Sequence, residues 1–367
     1  MKRILVLTSS RADFGIYLPL LQRMKSSHEI ELSILAFGTH LSKFHGYTID
    51  QIRELGFKVD YTISSLVLGD TAGDIANSYA LTAQKFADFW SNYTNNFDVV
   101  FVLGDRFEMA AAVAAGIPAG IRFAHLHGGE TTLGAIDNIY RHSISLASNW
   151  HFVALPEFKN RLETIVENKE NIYTVGALSL ESIKEIKLLS VKEFEQKWKI
   201  DLSQPTILIT VHPETVASSR NETYAQELYK SLNLLAAKYQ LVITMPNADT
   251  LGSLYRSQYD LLKRNFPSKV FLIENFGTQS YFTAMKFAKL MLGNTSSGII
   301  EAASFQKYVI NIGDRQKGRI TSENVINVPF DSREIFEKAS KYFEKSFNES
   351  NLYDRGNTSE NILNKLI

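Results

Sequence analysis

Short apolar runs rich in β-branched residues recur along the chain, separated by longer stretches in which apolar residues return every three or four positions. The runs at 3–8, 30–36, 98–103 and 121–126 read as strands buried on both faces. The clearest helix is predicted over about 71–93, where Ile75, Tyr79, Ala83, Phe86, Trp90 and Tyr93 share one face. Strands alternating with helices imply βαβ units and a parallel sheet. Over 157–199 the alternation pauses: a charged helical stretch at 157–170, a short strand at 172–175, and a surface-like helix at 179–199. After a turn at 201–205 it restarts, with strands at 206–211, 240–245, 269–273, 290–292 and 308–312. Helical patterns at about 221–237, 251–265, 278–288 and 297–305 separate them, and two helices are predicted over about 331–367.

The expectation is two α/β domains of similar size, joined near 170–200. Boundaries are placed at 1–170 and 171–345, with a C-terminal helix at 346–367 packing back on the N-terminal domain. A length of 367 residues suits that division. No internal repeat or low-complexity tract interrupts it.

Composition excludes several classes of function. Lys plus Arg total 39 and Asp plus Glu total 39, so no basic footprint for nucleic acid or a lipid surface exists at whole-chain level. The chain has no cysteine, which removes disulfides, thiolate metal sites and cysteine nucleophiles. No stretch of about 20 residues is free of charge, so no membrane span is expected. The opening MKRILVLTSSRAD offers only Ile4 to Leu7 as an apolar run, too short for a signal peptide, and the expected location is the cytoplasm.

Two facing Rossmann-like domains hold a ligand between the carboxyl ends of their strands, so candidate chemistry is sought just after each predicted strand. The first is followed by Thr8-Ser-Ser-Arg11-Ala-Asp13, suited to an anion at a helix start or, equally, to a simple cap by Ser10 or Asp13. Gly104-Asp105-Arg106 places an ionisable pair after an apolar strand: a base or orienting carboxylate with a phosphate-neutralising cation, or a cap with a solvated arginine. His125-Leu-His127-Gly-Gly-Glu130 precedes Asp137 and Arg141, which share a helix face, and His142. Paired glycines there suit close approach of backbone to ligand. His125, His127 and Glu130 lack a zinc spacing, and no metal is expected.

In the second half, His212-Pro213 ends a strand and can meet a phosphate, act as an acid, or serve structure alone. Gly293-Asn-Thr295-Ser296-Ser-Gly298 is a hydroxyl cluster suited to phosphate oxygens, and Glu301, a turn later, suits the vicinal hydroxyls of a ribose. Gly313-Asp-Arg315-Gln-Lys-Gly-Arg319 adds a cationic turn. Spacing alone points to a nucleotide-sugar or similar diphosphate and names no reaction.

The ordered set, with Pro246-Asn247 and Asn275-Phe276-Gly-Thr added, resembles the hydrolysing UDP-N-acetylglucosamine 2-epimerase family from residue 3 to about 328. The resemblance implies the GT-B-like fold: two Rossmann-like domains with parallel sheets facing across a cleft, the C-terminal one binding the nucleotide. It implies elimination of UDP across C1–C2 of a 2-acetamido sugar, then addition of water to give the free C2-inverted sugar. By position, Arg11, Arg106, His212, Asn247, Phe276, Thr295, Ser296, Glu301 and Arg315 match substrate-binding residues. Phe276 would lie by the uracil and Glu301 at the ribose. Asp105, His127, Asp137, Arg141 and His212 are the catalytic candidates.

Family members acting on UDP-N-acetylglucosamine usually carry His-Ile-Glu-Gly-Gly-Glu; here His127 stands where the first glutamate would be. The His-x-His-Gly-Gly-Glu-Thr form resembles the branch acting on diacetylated bacillosamine nucleotides, on the route to legionaminic acid. Gly15 replaces a serine found in some relatives. No cofactor and no nucleic-acid or membrane partner is implied, and the family implies a homo-oligomer, dimer or tetramer. A GT-B glycosyltransferase and a non-catalytic nucleotide-sugar binder share the same fold-level features.

Overall fold

The computed structural model describes residues 1–216, 218–246 and 251–366. Its strands form two sheets whose ladders pair parallel throughout. The first contains β1 (Lys2–Thr8), β2 (Ile30–Phe37), β3 (Tyr61–Ile63), β4 (Val99–Leu103), β5 (Phe123–Leu126), β6 (Ser148–Val153) and β7 (Ile172–Thr174), ordered β3-β2-β1-β4-β5-β6-β7. The second contains β8 (Thr206–Thr210), β9 (Gln240–Thr244), β10 (Val270–Ile273), β11 (Leu290–Gly293), β12 (Val309–Ile312) and β13 (Val325–Val328), ordered β10-β9-β8-β11-β12-β13.

The unbroken apolar runs follow from cover on both faces. Ile4 and Val6 of β1 pack with Tyr17, Leu20, Leu21 and Met24 of the helix Arg11–Ser26. Leu5 and Leu7, pointing the other way, pack with Phe86, Phe89 and Trp90 of the helix Ala72–Tyr93. In the second sheet Ile207 and Ile209 meet Leu228, Leu232 and Leu235 of the helix Asn221–Lys238. Each such aliphatic side chain contributes about 1.5–3 kcal/mol on burial.

The chain forms two compact units. One comprises Met1–Glu130, Asp137–Lys184 and Tyr353–Ile367; the other comprises Thr131–Ile136 and Glu185–Leu352. The short segment Thr131–Ile136 therefore packs with the second unit although the residues on both sides of it belong to the first. Its backbone is fixed there by Leu133 N–H donating to Lys317 O at 2.9 Å and Ile136 N–H to Thr215 Oγ1 at 2.9 Å. The terminal helix Thr358–Leu363 is held in the first unit by buried Glu181, which accepts from Ser359 N–H at 2.7 Å and Ser359 Oγ at 2.8 Å.

Several predicted elements differ in detail. The single helix predicted over 179–199 is two, Ser179–Glu185 and Val191–Trp198, because Ser190 starts a new helix through a capping box with Glu193. The helix predicted over 297–305 is a short α-helix, Ser296–Ile300, followed by a 3-10 turn, Ala302–Phe305. Among the described residues no helix is long and apolar enough to cross a membrane.

Candidate functional site

Where strand order reverses in a parallel sheet, neighbouring connections leave toward opposite faces and open a crevice at the carboxyl ends. In the first unit the reversal lies between β1 and β4, paired through Ile4–Val99, Leu5–Val100 and Val6–Phe101. The residues leaving it are Ser9-Ser10-Arg11 and Gly104-Asp105-Arg106, two of the stretches singled out from the sequence. Ser10 is the N-cap of the helix that follows, accepting from Asp13 N–H. Asp13 closes the turn in return, accepting from Ser9 N–H at 3.0 Å, Ser9 Oγ at 2.6 Å and Ser10 Oγ at 2.9 Å. Arg11, partly buried, is the first helical residue.

Asp105 forms an ion pair with Arg141, whose side chain is almost wholly buried while that of Asp105 is 26% exposed. Behind Asp105 sits His125, fully buried on β5. Its Nε2–H donates to Gly104 O at 2.8 Å, and its Nδ1 accepts from Ser145 Oγ at 3.0 Å. Burial pushes the His125 pKa down to about 3, so the ring stays neutral and serves as a strut for the Gly104-Asp105 turn. Arg106 is engaged by buried Glu108, through Nη2 to Oε1 at 2.9 Å and Nε to Oε2 at 3.1 Å. The solvated-arginine reading of Arg106 does not hold.

His127 adopts the left-handed region at φ +65°, where histidine is tolerated better than most side chains. Its N–H donates to Phe152 O at 3.1 Å, and its Nδ1 lies 2.8 Å from Oε1 of buried Glu130. The protein's own packing also demands the two glycines. A Cβ on Gly129 would lie 2.4 Å from Phe158 O, and one on Gly128 would lie 3.0 Å from Ser145 Oγ. Asp137 opens the helix Asp137–Leu146, one turn before Arg141, and His142 is lowered in pKa by burial and by the nearby Arg141 and Arg161.

The second unit repeats the arrangement. Its strand order reverses between β8 and β11, and the residues leaving there are Val211-His212 and Asn294-Thr295-Ser296. Buried Asn294 ties the two together: His212 N–H donates to Asn294 Oδ1 at 2.7 Å, and Asn294 Nδ2 donates to His212 O at 2.9 Å. Asn294 O accepts from Gln316 Nε2 at 2.8 Å and Arg315 Nη1 at 3.3 Å, which draws in the cationic turn. Gly293 is obligatory, since at φ +148° a Cβ would lie 1.9 Å from Thr210 O. Thr295 caps the helix Ser296–Ile300 by accepting from Ser297 N–H, and Glu301, buried, ends it. With so short a helix, the local N–H groups rather than a long macrodipole would meet an anion.

Phe276 precedes the helix Gly277–Phe287, with its ring centroid 4.8 Å from that of Trp198 and 5.4 Å from that of Phe194. Asn247 lies outside the described residues. Among the described residues no group of three or more His, Asp or Glu side chains is placed to hold a metal ion.

Three supporting residues escaped the sequence reading: Glu108, Asn294 and Glu214. Glu214 is buried and accepts Asp314 N–H at 2.5 Å; burial raises its pKa, opposed by the N–H of Asp314 and by Arg315. Glu214 and Glu108 closely follow recognised motifs, in His212-Pro-Glu214 and Arg106-Phe-Glu108, and Asn294 lies inside one, Gly293-Asn294-Thr295-Ser296. That adjacency was the available signal.

Against known proteins, the family model described as UDP-N-acetylglucosamine 2-epimerase matches residues 22–367. The chain is 35% identical over 347 residues to the GDP/UDP-N,N'-diacetylbacillosamine 2-epimerase (hydrolyzing) of Campylobacter jejuni, covering 94% of this chain and 89% of that one. It is 33% identical over 362 residues to the UDP-N,N'-diacetylbacillosamine 2-epimerase (hydrolyzing) of Legionella pneumophila, covering 98% and 94%. In structure it is similar to the UDP-GlcNAc 2-epimerase of Neisseria meningitidis, with a TM-score of 0.82 at 21% identity, covering 100% of this chain and 99% of that one. The fold is thus GT-B-like, built from two Rossmann-like units. With a family match over most of its length and relatives above 30% identity across nearly all of it, the chain belongs to the UDP-N-acetylglucosamine 2-epimerase family.

Proposed function

We propose that this chain is a hydrolysing 2-epimerase of a UDP-linked 2-acetamido sugar, and that its preferred sugar carries a second acetamido group, as in N,N'-diacetylbacillosamine. The reaction has two stages. A base takes the C2 hydrogen as the C1–O bond breaks and UDP leaves with the bonding pair, giving a glycal. Water then adds its oxygen to C1, and C2 receives a proton on the opposite face, giving the free C2-inverted sugar.

The first unit supplies ionisable groups suited to both proton transfers: Asp105 beside Arg141, the His127–Glu130 pair, and Asp137. The second supplies donors suited to the leaving diphosphate: His212, Thr295, Ser296 and Arg315. In this reading Arg11 and Arg106 add positive charge to the diphosphate, Glu301 takes the ribose hydroxyls, Phe276 and Asn247 attend the nucleotide, and Arg141 orients Asp105 through their ion pair.

The observation that carries the sugar preference is His127. An imidazole occupies the turn after β5, in the form that resembles the diacetylbacillosamine branch, and the Campylobacter and Legionella relatives named for N,N'-diacetylbacillosamine separately support that substrate. Parallel NMR assays with UDP-N-acetylglucosamine and UDP-N,N'-diacetylbacillosamine test it. The account expects a higher kcat/KM for the diacetylated sugar; equal or reversed preference removes the substrate assignment, and dependence on an added acceptor removes the reaction.

A further inference from the structure

We propose that Glu130 is a positioning residue for His127, making the imidazole a proton carrier that works through one defined nitrogen, Nε2. The inference rests on the epimerase reading for its consequences in catalysis but not for its geometry. Nδ1 of His127 lies 2.8 Å from Oε1 of Glu130, and the carboxylate is almost wholly buried. An ionised carboxylate only accepts, so Nδ1 carries the proton and the lone pair is left on Nε2. When Nε2 takes a proton, the adjacent carboxylate stabilises the imidazolium, as an orienting acid does beside any catalytic histidine.

The turn has ties besides this pair. It is fixed by His127 N–H to Phe152 O at 3.1 Å and by Arg161 Nη1 donating to Gly129 O at 2.8 Å. Two cations near the turn oppose an imidazolium. The cations are Arg141 on the helix Asp137–Leu146 and Arg161 on the helix Pro156–Ile165, while burial lowers the pKa of His142, of His125 on β5 and of His151 on β6. Asp105 is committed to Arg141, which leaves Glu130 to supply the negative charge on the His127 side.

The test uses Glu130→Gln, Glu130→Asp and His127→Asn in the full chain. In the wild type, nitrogen-15 NMR of His127 near neutral pH should show the Nδ1–H tautomer, a readout independent of turnover. Glu130→Gln should lower kcat on the order of 100-fold with KM and UDP affinity nearly unchanged, and should let the Nε2–H tautomer of His127 appear in the nitrogen-15 spectrum. Glu130→Asp should recover part of the loss. On a His127→Asn background, Glu130→Gln should cost nothing further. An Nε2–H tautomer overturns the proposal even in an active enzyme. So does a kcat loss in Glu130→Gln with the tautomer of His127 unchanged, or full additivity of the two substitutions. Failure of the wild type to release UDP from any nucleotide sugar overturns the epimerase reading instead, and the tautomer measurement still decides the dyad.

Discussion

The Oε1 of Glu214 accepts the backbone N–H of Asp314 at 2.5 Å, so a buried carboxylate following β8 holds the turn that carries Arg315. Asn221 braces Glu214 from the other side, its Nδ2 donating to Glu214 O at 2.8 Å. Loss of a hydrogen bond to a charged group costs about 1.5–3 kcal/mol, or roughly tenfold or more in an equilibrium. Glu214→Ala should therefore weaken UDP binding about tenfold by calorimetry while kcat at saturation changes little. Glu214→Gln, which keeps an acceptor oxygen, should lose less. Equal effects from both variants would show that the hydrogen bond is not what positions Arg315.

Asp105 is paired with a nearly buried arginine and sits at the β1–β4 reversal. Asp105→Asn should abolish turnover and leave UDP affinity nearly intact. It should also lower stability, because the nearly buried Arg141 loses an ionised partner. Loss of UDP affinity with residual turnover would place Asp105 at the nucleotide rather than at the sugar.

Glu301→Ala should raise KM severalfold with kcat largely preserved, since in the proposed reading Glu301 contributes binding shared by ground and transition states. A steady-state comparison is sufficient. An unchanged KM would take Glu301 away from the ribose.

Stability should fall on mild acidification. Burial lowers His40 to about 4, His125 to about 3 and His151 to about 4. In the unfolded chain each takes up a proton near pH 6.5. Between those values the native state binds fewer protons than the unfolded state, so this stabilisation is complete above about pH 6.5 and is lost as the pH falls toward the native values. Each group adds a slope on the order of 1.4 kcal/mol per pH unit within its window. Urea unfolding at a series of pH values should show the decline, and His151→Phe should flatten it. A slope unchanged by that substitution would contradict the assignment.

How much of this was legible in the chain depended on the physics of each element. Strands covered on both faces print as continuous apolar runs, so β1, β2 and β4 were visible. β6 was missed because it opens Ser148-Asn-Trp-His; β3 and β13 were missed as well, although β7 and β12 are as short. Strand-end residues such as Asp105, His212 and Thr295 stood out because a parallel sheet gathers its loops at one end. Buried polar struts did not. Asn294, Glu214 and Glu108 follow no period, and their roles come from partners distant in sequence or from burial that only the fold creates. The Gly128-Gly129 pair stood out as a place for close backbone approach, but its packing against Ser145 and the helix Pro156–Ile165 was not legible.

His127→Glu tests the sugar preference from the opposite direction. Restoring the carboxylate usual in enzymes acting on UDP-N-acetylglucosamine, next to Glu130 in place of the imidazole, should shift relative kcat/KM toward that substrate. A variant that keeps the wild-type ratio would show that His127 does not set specificity.

The central claim, elimination of UDP followed by hydration, is tested most directly by one measurement: proton NMR of the reaction in D2O with UDP-N,N'-diacetylbacillosamine or UDP-N-acetylglucosamine and no acceptor. The account predicts free UDP and a free C2-inverted sugar carrying deuterium at C2. A product still linked to UDP, a C2 that keeps its original hydrogen, or turnover only when an acceptor is added would contradict it.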